Sequence, residues 1–137
     1  MNKKNIPSIV GVVIGAVAFF LVYNYFFAGP STDEILQHAA AKVNEQCPML
    51  IDDQTRLDSA TALPDNNFQY RYTLSNIDKS NTDLAVLEEN LKAMIIEAIK
   101  NNPDMTTFKE LGTTIQYYYE GSDGEQLFNI VITEDMW

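Results

Sequence analysis

Phe68-Gln69-Tyr70-Arg71-Tyr72-Thr73-Leu74 alternates apolar and polar side chains without a break. A period of two places Phe68, Tyr70, Tyr72 and Leu74 on one face of an extended chain and Gln69, Arg71 and Thr73 on the other. Pro64-Asp65-Asn66-Asn67 just before it is a turn cluster. Arg56 to Leu63 alternates as well, with Leu57, Ser59, Thr61 and Leu63 on one face and Arg56, Asp58, Ala60 and Ala62 on the other. Two alternating runs around a four-residue turn predict a β-hairpin.

Towards the C-terminus, Asn76 to Asn81 is polar, and Asn81 or Ser80 can cap a helix over about 82–101. Leu84, Leu87, Leu91, Met94, Ile95, Ala98 and Ile99 recur at intervals of three and four, with Glu88, Glu89, Lys92 and Glu97 on the wet side. Pro103 ends this helix, because the residue before a proline avoids helical angles. Asp104 to Leu111 predicts one or two further helical turns. Gly112 then releases the chain into Thr113, Ile115, Tyr117 and Tyr119, the Gly121-Ser122-Asp123-Gly124 turn, and a last strand through Phe128, Ile130 and Ile132. Towards the N-terminus, Ser31 with Glu34 three residues on has the spacing of a capping box, and an amphipathic helix follows over about 32–46, stopped by Pro48. The order helix, hairpin, helix, hairpin predicts an α+β fold, a two-layer αββαββ domain with a four-stranded antiparallel sheet over residues 31–137.

Residues 6–28 carry no charged side chain. A bilayer core of ~30 Å needs roughly 20 helical residues, so this stretch predicts a transmembrane helix ahead of the domain, after a short basic N-terminus at 1–5. A cleaved signal peptide is the competing reading. Against it stand the length of the apolar run and its bulky end at Tyr23-Asn24-Tyr25-Phe26-Phe27. Lys3 and Lys4 place the N-terminus in the cytoplasm and the domain outside the inner membrane. Gly11 and Gly15 have the small-xxx-small spacing of packed membrane helices, which makes a homo-oligomer one expectation.

The domain is strongly acidic: all nineteen Asp and Glu fall in residues 31–137 against seven of the nine Lys and Arg, a net of −12. Such a surface repels phosphate backbones, so nucleic acid is an unfavourable partner. The sequence also predicts no metal centre and no cofactor. His38 is the only histidine and Cys47 the only cysteine, too few for a conventional zinc site. Nine residues apart, they stand over about 10 Å from each other on a helix, too far for a nucleophile–base pair. Cys47 is expected to behave as a small buried hydrophobe.

Two constellations remain. Asp52, Asp53, Arg56 and Asp58 form a polar cluster that could bind a cation or do acid–base work, or simply brace a turn. Tyr70, Tyr72, Tyr117, Tyr118 and Tyr119 could form an aromatic sheet face that docks a protein, or simply pack. Met136-Trp137 could fold back, meet the membrane or meet a partner. No catalytic set converges. The sequence therefore predicts a non-enzymatic interaction or accessory module of the cell envelope, partnered by another envelope or membrane protein. The alternatives are a small-ligand or ion sensor, or an enzyme using Asp52, Asp53 and Asp58.

Overall fold

The computed structural model describes residues 31–137. The span read over 6–28, with Gly11 and Gly15, lies outside them, as do Lys3 and Lys4. Among the described residues no helix is long and apolar enough to cross a membrane.

Helix α1 runs Thr32–Glu45. Its N-cap Ser31 accepts from the Glu34 amide at 3.3 Å while the Glu34 carboxylate accepts from the Ser31 amide at 3.1 Å, so two orphan donors of the first turn are satisfied reciprocally. Ile35, Leu36, Ala39, Ala40 and Val43 form its buried stripe. Strands β1 (Met49–Leu50), β2 (Thr55–Leu63) and β3 (Asn67–Leu74) follow, then α2 (Leu84–Lys100), a 3-10 turn (Pro103–Met105) and α3 (Thr106–Leu111). Strands β4 (Thr114–Gly121) and β5 (Gln126–Ile132) come next, and a second 3-10 turn closes the chain at Glu134–Met136. The cap of α2 is Asp83, which accepts from the Val86 amide at 3.2 Å, rather than Ser80 or Asn81. Those two instead hydrogen-bond to Asp78 in the preceding loop.

The sheet corrects the expectation of four antiparallel strands. It has five, in the order β1-β2-β3-β4-β5, and it is mixed. The two hairpins are antiparallel, but β3 and β4 run parallel, in register from Asn67↔Thr114 to Leu74↔Gly121. The cause is the helix between them. Helix α2 and the turns after it carry the chain back to the end of the sheet where β3 began, and a strand entered from that end runs parallel to the one before it. Asn66 locks the junction. Its amide donates to the Leu111 carbonyl at 2.7 Å, and its side-chain oxygen accepts from the Thr113 hydroxyl at 2.9 Å. Its own carbonyl accepts from the Thr114 amide at 3.1 Å. Gly112 takes a left-handed φ of 69° just before β4, which glycine adopts at little cost. A Cβ there would stand 3.2 Å from the Glu134 carboxylate.

The fifth strand, β1, was invisible to alternation because it has only two residues, right after Pro48. It pairs with Arg56 and Leu57. A register shift between Leu57 and Ser59 also breaks the alternation of β2. Leu57 and Ala60, expected on opposite faces, are consequently both buried, as an extra residue in one strand requires.

Helix α1 packs on β2 and α2 on β5, and their apolar sides join the inward sheet face in one core. Beyond the two residues that β1 covers, β2 would expose a bare edge. Asn44 at the end of α1 closes it: its amide donates to the Ala60 carbonyl at 2.9 Å and its oxygen accepts from the Ala60 amide at 2.8 Å. The side chain thus imitates a residue of a neighbouring strand. Asn44→Ala should lower stability by about 1–2 kcal/mol, the worth of two partly solvated hydrogen bonds. The urea midpoint would read this, and an unchanged midpoint would show that the pairing contributes nothing.

Candidate functional site

With both helices on one side, the other sheet face is left open, and strand alternation decides what it presents. Gln69, Arg71, Gln116, Tyr118, Asn129 and Val131 point that way. Three of them form an amide ladder across three strands. Gln69 donates to the Gln116 side-chain oxygen at 3.1 Å, and Asn129 donates to the same oxygen at 3.2 Å. The Gln116 amide continues the ladder to Asn67 at 3.3 Å. Further along, Arg71 pairs with Glu120 at 3.2 Å and lies 4.4 Å from the centroid of the Tyr118 ring. In-register parallel pairing brings these about, since Gln69 faces Gln116 and Arg71 faces Tyr118 directly. Such a face can dock by hydrogen bonds and cation–π contact.

The tyrosines divide between the two faces. Tyr118 belongs to the open face. Tyr70, Tyr72, Tyr117 and Tyr119 are at most 1% exposed and form the middle of the core. The same register that builds the amide ladder stacks Tyr72 on Tyr119 at 5.0 Å between centroids and Tyr70 on Tyr117 at 5.5 Å. Phe68 joins edge-on to Tyr70, and Phe128 tilts against Tyr119. The hydroxyls of Tyr70, Tyr72 and Tyr119 are buried with no hydrogen-bond partner. Burial pushes all four phenols well above their ordinary range near 10, and the neighbouring phenols add to the effect on Tyr72 and Tyr117. Of the five tyrosines expected to share one aromatic face, Tyr118 alone lies on the open side of the sheet.

The acidic cluster is gathered at the start of β2, where it braces structure. Asp52 accepts from the Gln54 and Thr55 amides at 2.8 and 2.9 Å, a local turn that launches the strand. Arg56 pairs with Asp58 at 2.5 Å, and the other Asp58 oxygen accepts from the Thr73 hydroxyl at 2.5 Å across the hairpin. Asp53 is exposed beside them. Among the described residues no group of three His, Cys, Asp or Glu is placed to hold a metal ion. Cys47 is a free, half-buried thiol packed against the core. Burial raises its pKa first and the Asp58 charge second, which leaves little thiolate at neutral pH. His38 is half-buried on α1. Met136 and Trp137 fold back onto the core, with Lys109 5.2 Å from the Trp137 ring.

Sequence reading missed Gln69, Gln116 and Asn129 as a unit. Each is an ordinary polar position of an alternating strand, and the parallel pairing of β4 with β3 and its antiparallel pairing with β5 unite them.

The model of the domain family described as Domain of unknown function (DUF8479) matches residues 31–128, and the chain belongs to that family. None of the curated proteins matches its sequence. Three solved structures share the fold. The pilotin EpsS of the type 2 secretion system of Vibrio vulnificus has a TM-score of 0.61 at 8% identity, over 77% of this chain and 90% of that one. The type II secretion system pilotin AspS of Vibrio cholerae has 0.57 at 11%, over 77% and 92%. A Pseudomonas aeruginosa protein described as secreted has 0.60 at 11%, over 79% and 98%. At these identities the likeness is one of fold.

Proposed function

We propose that this DUF8479 chain is a non-enzymatic accessory protein of the cell envelope that binds another envelope protein, in the manner of a pilotin serving a secretion complex. One observation carries the reading: the fold of residues 31–137 is that of two secretion-system pilotins, matched over 77% of this chain. The side chains agree with it. The acidic groups at the start of β2 are spent on turns and cross-strand pairs. The open sheet face presents paired amides and an arginine stacked on tyrosine, which are groups for recognition. The uncharged stretch 6–28, with Lys3 and Lys4 ahead of it, delivers the domain to the envelope, where it works outside the cytoplasm.

Crosslinking in intact cells, followed by capture of the tagged full-length chain from membranes, tests this. One envelope protein recovered in fixed stoichiometry is the expected result. A chain recovered alone, and carrying a bound metabolite, would replace the accessory reading with a ligand-sensing one. A C-terminal reporter active only outside the cytoplasm checks the location; activity inside would sink it.

A further inference from the structure

We propose that the free edge of β5 is a docking site for an extended segment of a partner chain, apolar through its middle and basic at its ends, which adds to the sheet as a sixth strand. The inference rests on the accessory-protein reading and names the surface and the chemistry of its partner.

The two edges of the sheet are treated unequally. At one, β1 covers Arg56 and Leu57 and the Asn44 side chain occupies both backbone groups of Ala60. At the other, β5 pairs with β4 alone. Among the described residues, no backbone hydrogen bond outside the sheet ladder involves residues 126–132. The 3-10 turn after β5 leads away from this edge, towards Gly112 and Lys109. A row of unpaired amides and carbonyls is therefore presented along seven residues, roughly 23 Å at the rise of a strand.

Proteins normally guard such a row with short strands, proline or charge, lysine above all. Gln126-Leu127-Phe128-Asn129-Ile130-Val131-Ile132 has neither proline nor charge. Val131 is 38% exposed beside it on the open face. An uncharged, β-favouring edge in a domain of net charge −12 is a local exception, and strand addition is the recognition mode that uses one: backbone pairing supplies affinity, and alternate side chains supply specificity.

Charge selects the occupant. Asp123 and Glu125 flank the start of β5, and Glu134 and Asp135 flank its end. Lys79 pairs with Glu125. Among the described residues no lysine or arginine forms an ion pair with Asp123, Glu134 or Asp135. A second copy pairing antiparallel through the same edge would set Asp123 and Glu125 against Glu134 and Asp135, and facing like charges oppose association. A segment with basic ends meets the same carboxylates favourably.

The test uses the full-length chain and a synthetic peptide of alternating valine and threonine with lysine pairs at both ends. Two control peptides accompany it, one N-methylated at alternate amides and one ending in glutamates. Binding should slow amide exchange within residues 126–132, and each control should bind more than about tenfold more weakly, a loss of about 1.4 kcal/mol. Glu134→Gln with Asp135→Asn should weaken the lysine peptide and spare its glutamate twin. The inference is overturned if the N-methylated peptide binds as well as its parent, if protection maps to another surface, or if the chain dimerises through β5. Val131→Lys, at an exposed position, separates the inference from the reading beneath it. If it still captures the same stoichiometric envelope partner, the edge is not the docking site and the accessory role stands. If the wild-type chain captures none, the accessory role itself fails.

Discussion

Raising the pH above about 10 should progressively destabilise and then unfold the domain, because four tyrosines are sealed in its core. Unfolded, Tyr70, Tyr72, Tyr117 and Tyr119 ionise near pH 10. Folded, burial above all holds each of them protonated to much higher pH, with the Asp52 charge adding to the effect on Tyr119. Below pH 10 both states keep these protons and the full stability is present. Above it the unfolded state sheds protons that the folded state retains, so stability falls until the folded phenols also ionise. Each group contributes a slope of about 1.4 kcal/mol per pH unit, roughly 5 for the set. Domains are commonly stable by about 5–15 kcal/mol, so the collapse is expected within about one to three units above pH 10. Urea unfolding at stepped pH measures the slope, and each Tyr→Phe variant should reduce it by about 1.4 kcal/mol per unit. A stability that stays level between pH 10 and 11 would mean that the core admits solvent.

The second large effect is at Tyr72, a ring in contact with all three of the other buried tyrosines. It meets Tyr119 at 5.0 Å, Tyr70 at 6.4 Å and Tyr117 at 6.5 Å, and is fully buried. Tyr72→Ala removes the ring from a close-packed layer between helices and sheet and leaves a cavity, at about 3–5 kcal/mol. Tyr72→Phe keeps the ring and deletes a hydroxyl that has no partner. An unsatisfied buried polar group costs about 1–3 kcal/mol, so the phenylalanine variant should be as stable as the wild type or more so. Thermal and urea unfolding of the two variants should diverge in sign. A Phe variant as damaged as the Ala variant would mean that the hydroxyl is held by a group or a water that matters.

Together the two effects assign Tyr70, Tyr72, Tyr117 and Tyr119 a structural role. The stack is made by register: Tyr70 faces Tyr117 and Tyr72 faces Tyr119 only because β3 and β4 run parallel and in step. A slip of one residue would turn Gln69 and Arg71 inward and the rings outward. The same pairing that stabilises the core therefore composes the open face.

Much of the framework was legible in the residues. Alternation marked β2 to β5, three-four spacing marked α1 and α2, and Ser31 with Glu34 announced the start of α1. These are local signals, produced by how a short segment meets water on one side and apolar groups on the other, and each can be read without knowing what the segment touches. Orientation between segments is different in kind. The parallel junction of β3 and β4 depends on where a helical crossover returns the chain and on Asn66 clasping Leu111 and Thr113. The two-residue β1 exists only because β2 offers it an edge, and the bulge after Leu57 reverses the face of Ala60 against its local pattern. Which side of each strand is the core, and so whether a tyrosine is buried or displayed, was settled when both helices packed on one face. That is a collective choice among segments distant in sequence, and no single segment carries it.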